Sequence, residues 1–387
     1  MERVALALVG CGGMAGAHVQ GLEDLWRAGE RRIQVVACCD VVKERAEERA
    51  RDIAKFQRRR PAVYTDVEQM LKRSKSIEAV DICALHSQHH LLAAACLQAG
   101  KHVILEKPLA ITLRAGRLIL DAALDARRLV AVAENYRRSP HERARRWAIT
   151  QGRIGRPRTF YWHDVGEGLG KWGWRNFKRD AGGGWILDGG VHFADLFRYH
   201  LGAEARQVTA RVHSYEPYRY DDPPARRGAW HVDVEDCAMA LIDFDGGALV
   251  QWTWQGSAPG QGFNRRALYG DEGCIDWDGG LWTRAGANTG NDALLAEFRA
   301  ALDEEQARRL FPGGVENSVS VELAEFAAAV RGEGTPEVDG LDGYRSQALC
   351  MAVFESSHFN RPVSLDEIER GDLEGYQAQI DQSLGIA

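Results

Sequence analysis

Apolar positions in the first 135 residues fall into short unbroken runs separated by helical patterns. Val4–Val9, Val35–Cys39, Ala79–Ala84, His102–Leu105 and Val130–Ala133 read as strands, while Ala15–Ala28, Lys43–Phe56, His89–Ala99 and Leu113–Ala126 read as helices. Apolar runs of four to six residues without polar alternation suit strands covered on both faces. Alternating with helices, they predict an α/β domain built on a doubly wound parallel sheet, a Rossmann-type fold, over residues 1–135. After a helical stretch at Glu142–Gln151 the texture changes. Alternating strand patterns at Arg158–His163, Val208–Ser214, Asp236–Phe244, Ala248–Trp254, Arg265–Gly270 and Gly273–Trp277 are joined in part by hairpin signals at Asp245-Gly246-Gly247 and Asp271-Glu272-Gly273. With helices expected at Val191–Leu201, Val319–Val330 and Gly343–Ser357, residues 136–387 predict an α+β domain on an open, mostly antiparallel or mixed sheet.

Length agrees with that division, since 387 residues exceed what one hydrophobic core usually serves. A net charge of −6 gives no field to hold a phosphate backbone, so no nucleic-acid partner is expected. The cluster Arg58-Arg59-Arg60, followed by Pro61, reads as a solvated loop. The eight cysteines form no C-x-x-C pair, and several lie in apolar runs, as thiols do in a reducing compartment. Met1 runs directly into VALALVG, and no apolar stretch approaches a membrane span. A cytoplasmic protein with no membrane partner is the expectation.

Candidate chemistry begins at Gly10-Cys11-Gly12-Gly13-Met14-Ala15-Gly16, between a strand and a helix. In that context Gly10 permits a tight turn, Gly12 lets a pyrophosphate approach the backbone, and Ala15 allows close helix packing. The helix start, from Gly13 and Met14, turns its N–H groups toward the phosphates. Asp40 ends the second strand run, where a carboxylate can accept from a ribose 2′-hydroxyl and repels a 2′-phosphate. Val41 and Val42 follow instead of Arg or Ser, which favours NAD over NADP. Glu106-Lys107-Pro108 closes the fifth strand run, so Lys107 stands at the carboxyl end of the sheet, where doubly wound folds place ligands. A helix beginning near Asp188 would carry Asp188 and His192 one turn apart on one face.

Together these stretches resemble the glucose-fructose oxidoreductase, inositol dehydrogenase and rhizopine catabolism (Gfo/Idh/MocA) family. The resemblance rests on GCGGMAGAH, Asp40, AGKHVILEKPL (99–109), GGGWILDGGVHFADL (182–196), Phe354-Glu355-Ser356-Ser357 and Arg361-Pro362-Val363. It implies a hydride-transfer site in which His192 removes a hydroxyl proton, Lys107 steadies the substrate oxygen, and Asp188 orients the substrate or a proton relay. The family commonly shows T-P-N-x-x-H after the fourth strand, where this chain has Ala84-Leu85-His86-Ser87-Gln88-His89. His86, His89, Glu106 and Lys107 are therefore the cofactor-side candidates beyond the glycine turn. His86, His89 and His90 lack a Cys or carboxylate partner at a recognised spacing, and no metal is expected.

Tryptophans concentrate in the second half, where indole faces suit sugar rings, although Trp252 and Trp254 alternate along a strand and also suit a core. Substrate candidates are Trp172, Trp174 and Arg175 before the glycine triplet, with Tyr136, Arg137, His163, Lys107, Asp188 and His192. The leading expectation is NAD-dependent oxidation of a secondary hydroxyl on a sugar, glycoside or cyclic polyol. A redox-neutral enzyme that retains NAD through elimination or epimerisation, and a non-catalytic NAD-binding sensor, are the alternatives. An open sheet needs cover on its apolar face, so a homodimer or homotetramer formed through the second domain is expected.

Overall fold

The computed structural model describes residues 3–387. The chain forms two compact units. One comprises Met1–Ala110, Ala115–Ser139 and Leu302–Tyr344; the other comprises Ile111–Arg114, Pro140–Ala301 and Arg345–Ala387.

The first unit is a six-stranded parallel sheet of β1 (Val4–Val9), β2 (Ile33–Cys39), β3 (Ala62–Tyr64), β4 (Ala79–Ile82), β5 (His102–Glu106) and β6 (Val130–Ala133). Spatial order is β3-β2-β1-β4-β5-β6. The order reverses between β1 and β4, and a doubly wound sheet binds ligands at the carboxyl ends on either side of such a reversal. Strands β4 and β6 are buried along their whole length, the physical basis of the unbroken apolar run of β6 and of the run in β4 that only Asp81 interrupts. The short edge strand β3 and the helix Val67–Arg73 gave no clear periodic signal, because a three-residue strand cannot display one.

Residues 302–344 belong to this unit, whereas the boundary expected at 135/136 assigned them to the second. The reason lies in the helix Ser318–Val330. Its Val319, Leu323, Phe326 and Ala327 share one core with Val19, Leu22 and Leu25 of the helix Gly13–Arg27. Amphipathic periodicity identifies a buried face without naming what buries it.

The second unit is built on nine strands: β7 (Pro157–Val165), β8 (Ala205–His213), β11 (Cys237–Phe244), β12 (Leu249–Gln255), β13 (Phe263–Gly270), β14 (Gly273–Asp276), β15 (Gly280–Thr283), β16 (Asn288–Thr289) and β17 (Val363–Ser364). Two further strands, β9 (Tyr218–Arg219) and β10 (Trp230–His231), pair separately. The large sheet runs β16-β15-β14-β13-β7-β12-β11-β8-β17. Its pairs are antiparallel except β7 with β12, so the sheet is mixed. One face carries Phe160, Trp162, Val250 and Trp252 under the helix Gly190–Leu201, whose Phe193 and Phe197 pack edge-on or tilted against those rings. Alternate residues Tyr161, Met239, Leu241, Leu249, Phe263, Tyr269 and Trp282 lie exposed on the opposite face.

Candidate active site

In the first unit the turn after β1 has the geometry its glycines predict. Gly10 adopts φ +80°, and a Cβ there would lie 2.7 Å from the backbone of Cys83 and Ala84 at the end of β4. A Cβ on Gly12 or Gly13 would meet nothing within 4 Å. Gly12 caps the helix Gly13–Arg27 without a side-chain hydrogen bond, leaving the first-turn N–H groups for another acceptor. Ala15 is fully buried and Met14 exposed. Asp40 braces the turn: Oδ2 accepts the Cys11 N–H at 2.7 Å and Oδ1 the Val42 N–H at 2.8 Å. Each oxygen keeps a second lone pair. Open space over Gly12, an uncapped helix start and a carboxylate at the end of β2 fit a dinucleotide.

Around Glu106-Lys107-Pro108 the predicted residues divide by role. Lys107 is half-buried at the end of β5. Glu106 is buried and turned into the unit, where its Oε1 meets His18 Nε2 at 2.9 Å. His89 is buried, with Nδ1 2.9 Å from the Pro108 carbonyl and Nε2 3.3 Å from that of Ala84, and burial pulls its pKa below the ordinary histidine value. It braces the Pro108 turn from within. His86 is buried beside it, ring to ring at 5.5 Å. Arg137 is also buried and donates to the Glu337 carbonyl at 3.2 Å, a clamp on the backbone, whereas Tyr136 is exposed.

The second unit brings Trp172, Trp174, Arg175 and Asp188 together. Arg175 Nε donates to Asp188 Oδ1 at 3.0 Å, and the guanidinium lies 4.3 Å from the Trp174 ring and 5.5 Å from that of Trp172. Trp172 packs on Trp185 at 5.7 Å, which stacks on Trp254 at 5.9 Å. Asp188 ends the short helix Trp185–Asp188, and His192 lies in the first turn of the helix Gly190–Leu201. The helical run thus begins at Trp185, one turn before the expected start at Asp188. Gly190 is required at the junction, since a Cβ there would stand 2.6 Å from the Trp252 ring.

Glu235, absent from the sequence candidates, anchors this run. Its carboxylate accepts the Gly184 N–H at 2.7 Å and the Ile186 N–H at 2.9 Å, while burial pushes its pKa up against those bonds. His163 does not join the cluster. It lies on the exposed face of the sheet with Tyr161 and Arg265, because alternation along β7 turns it away from Trp162. His18 and Asp81 were also missed. The usable signal was Asp81 within the apolar run AVDIC, since a carboxylate in a strand covered on both faces requires a partner.

Residues 4–134 match the oxidoreductase family NAD-binding Rossmann fold of GFO_IDH_MocA, and residues 146–365 match its C-terminal alpha/beta domain. The chain belongs to the Gfo/Idh/MocA oxidoreductase family. Its first unit is accordingly an NAD-binding Rossmann domain. Among relatives of this Gfo/Idh/MocA chain, the 1,5-anhydro-D-fructose reductase of Ensifer adhaerens is 31% identical, covering 79% of this chain and 84% of the relative. The levoglucosan dehydrogenase of Pseudarthrobacter phenanthrenivorans is 30% identical over 76% of this chain and 81% of its own. A solved levoglucosan dehydrogenase in complex with NADH and levoglucosan superposes with a TM-score of 0.75 at 25% identity, covering 94% of this chain and all of that one. No helix among the described residues is long and apolar enough to cross a membrane.

Proposed function

We propose that this oxidoreductase removes hydrogen from a secondary hydroxyl of a sugar, glycoside or cyclic polyol, or reduces the corresponding carbonyl. The observation that carries the reading is Arg175, flanked by Trp172 and Trp174, paired with Asp188 on the helical run that also bears His192. A guanidinium and a carboxylate between indole faces offer the donors, acceptors and flat apolar surface that a sugar ring requires. The names of the two relatives described above support the same substrate class.

When bound, NAD supplies the acceptor for the carbon's hydrogen and its electron pair. His192 takes the hydroxyl proton. Lys107 steadies the negative charge that develops on the oxygen as that proton leaves. Asp188 holds Arg175 in register through its hydrogen bond, and Arg175 orients a second hydroxyl. Turnover should appear as NADH formation with NAD across levoglucosan, glycosides and inositols, or as NADH consumption with 1,5-anhydro-D-fructose. His192→Ala should lower kcat by about 100-fold or more, the scale of a lost general base. Absence of turnover across the panel, or a His192→Ala enzyme as active as wild type, refutes the assignment.

The exposed sheet face supports a homodimer or homotetramer. Met239, Leu241, Leu249, Phe263, Tyr269 and Trp282 lie on one face of adjoining strands, and contiguous apolar patches of this kind mark association surfaces.

A further inference from the structure

His18 is fully buried in the Rossmann unit. Nδ1 stands 2.8 Å from Asp81 Oδ2 and Nε2 2.9 Å from Glu106 Oε1. A neutral imidazole has one N–H and one lone pair, while an ionised carboxylate only accepts. A ring that meets an ionised carboxylate at both nitrogens donates from both, as an imidazolium does. Burial, the largest single influence, would lower its pKa; the charges and hydrogen bonds of Asp81 and Cys83 together outweigh it and raise the pKa well above the ordinary value.

The surroundings are closed. Asp81 comes from β4, the Cys83 thiol from just beyond it, and Glu106 from β5; the helix Ser318–Val330 supplies Glu322, 4.0 Å from Nε2. Burial raises the pKa of both Cys83 and Glu322. Arg138 lies 3.8 Å from Glu322 on its far side and pairs with Glu325, with Glu134 nearby. His18, Asp81 and Cys83 offer donor atoms within 4.8 Å of one another. The 2.8 Å separation between His18 and Asp81 is nonetheless a hydrogen bond, shorter than the roughly 3.3 Å edge between neighbouring ligands of a tetrahedral zinc site.

The geometry points to His18 as a positioning residue: a charged clasp that fixes the carboxyl ends of β4 and β5 together and holds the Glu106-Lys107-Pro108 turn for catalysis. The inference rests on the reading of Lys107 given above. The β4 end is also where Gly10 packs, so one ring ties the glycine turn's support to the lysine's. His89 grips the same turn at Pro108. Lys107 is therefore flanked in sequence by two anchored residues.

Three measurements on the full chain test this. Selective ¹⁵N-histidine spectra of the wild type should show both His18 nitrogens protonated at about pH 8, above the ordinary imidazole value. In His18→Gln, which reaches one carboxylate without charge, hydrogen exchange over residues 106–110 should quicken by about tenfold or more, while the second unit keeps its wild-type rates. Its kcat should fall by about 10–100-fold with KM and NADH affinity changed by less than about threefold, the pattern of a lost transition-state contact. Glu106→Gln removes one arm of the clasp and should quicken exchange in the same segment, which covers the case of a His18→Gln chain that does not fold. A neutral His18 at pH 8, or unchanged exchange over 106–110 in both variants, overturns the proposal. Failure of wild-type turnover on every sugar would refute the activity instead, and the spectra and exchange would still judge the clasp.

Discussion

Gly10 and Gly12 stand two residues apart in one turn, yet alanine at each should do opposite things. At Gly10 (φ +80°), an alanine pays the left-handed penalty of about 1–2 kcal/mol. Its methyl would also sit 2.7 Å from the Cys83 and Ala84 backbone, which has no flexible end to yield, adding about 1–3 kcal/mol for the forced shift. The sum, about 2–5 kcal/mol, should lower the melting midpoint of Gly10→Ala by roughly 5–15 °C. At Gly12, φ is −78° and the added methyl meets nothing in the protein, so Gly12→Ala should melt within about 2 °C of wild type. The same methyl occupies the space a pyrophosphate would enter. Overpacking there, worth about 1–3 kcal/mol, should weaken NADH binding by about 10–100-fold. Thermal melts and NADH fluorescence titrations on both variants decide the matter. If Gly12→Ala loses as much stability as Gly10→Ala, the space over Gly12 is not open; if it binds NADH as wild type does, the pyrophosphate does not approach there.

Arg175→Ala should lower kcat/KM by about 10–100-fold, the scale of one hydrogen bond to a charged group, and Arg175→Lys should recover little because the Trp174 stack and the Nε bond need a planar guanidinium; variants within twofold of wild type would remove Arg175 from the site. Light scattering should find a dimer or tetramer at micromolar concentration, and Leu241→Glu with Phe263→Glu should shift it toward monomer; a wild-type monomer would refute the assembly. The His18 clasp also sets a pH dependence. Its folded-state pKa is raised, so its stabilisation is complete below the unfolded value of about 6.5 and is lost as pH rises through the folded value. The wild-type melting midpoint should therefore fall more steeply on the alkaline side than that of His18→Gln, and parallel profiles would count against a charged His18.

The Rossmann half was legible because its constraints are local. A strand buried on both faces favours apolar residues, as β6 shows throughout and β4 at every position but Asp81, and the Gly10 turn demands a residue without a Cβ. The parts that were not legible depend on partners distant in sequence. Leu302–Tyr344 joins the first unit through the apolar face of Ser318–Val330, whose period is the same whichever core receives it. His163 looked like a sugar ligand until the register of β7 with β12 put it opposite Thr253 on the exposed face, one residue out of phase with Trp162. Arg175 precedes the glycine triplet in sequence, but its bond to Asp188 joins residues 13 apart across three short helical turns, a pairing no simple period records.

Glu235 and His18 complete that contrast, because neither touches the groups proposed to react and each fixes one that carries them. Two backbone N–H groups fix Glu235 to the start of the run bearing Asp188 and His192. Two carboxylates fix His18 to the strand ends bearing the Lys107 turn. In both cases a buried charge is tolerated because hydrogen bonds satisfy it, and removing one partner leaves a desolvated group that costs more than the bond itself contributes. A motif records the residues that meet substrate and cofactor. The buried charges that hold those residues are visible in sequence only as polar letters in apolar runs, such as the aspartate of AVDIC, and it is there that a reading from sequence should look for the supports of an active site.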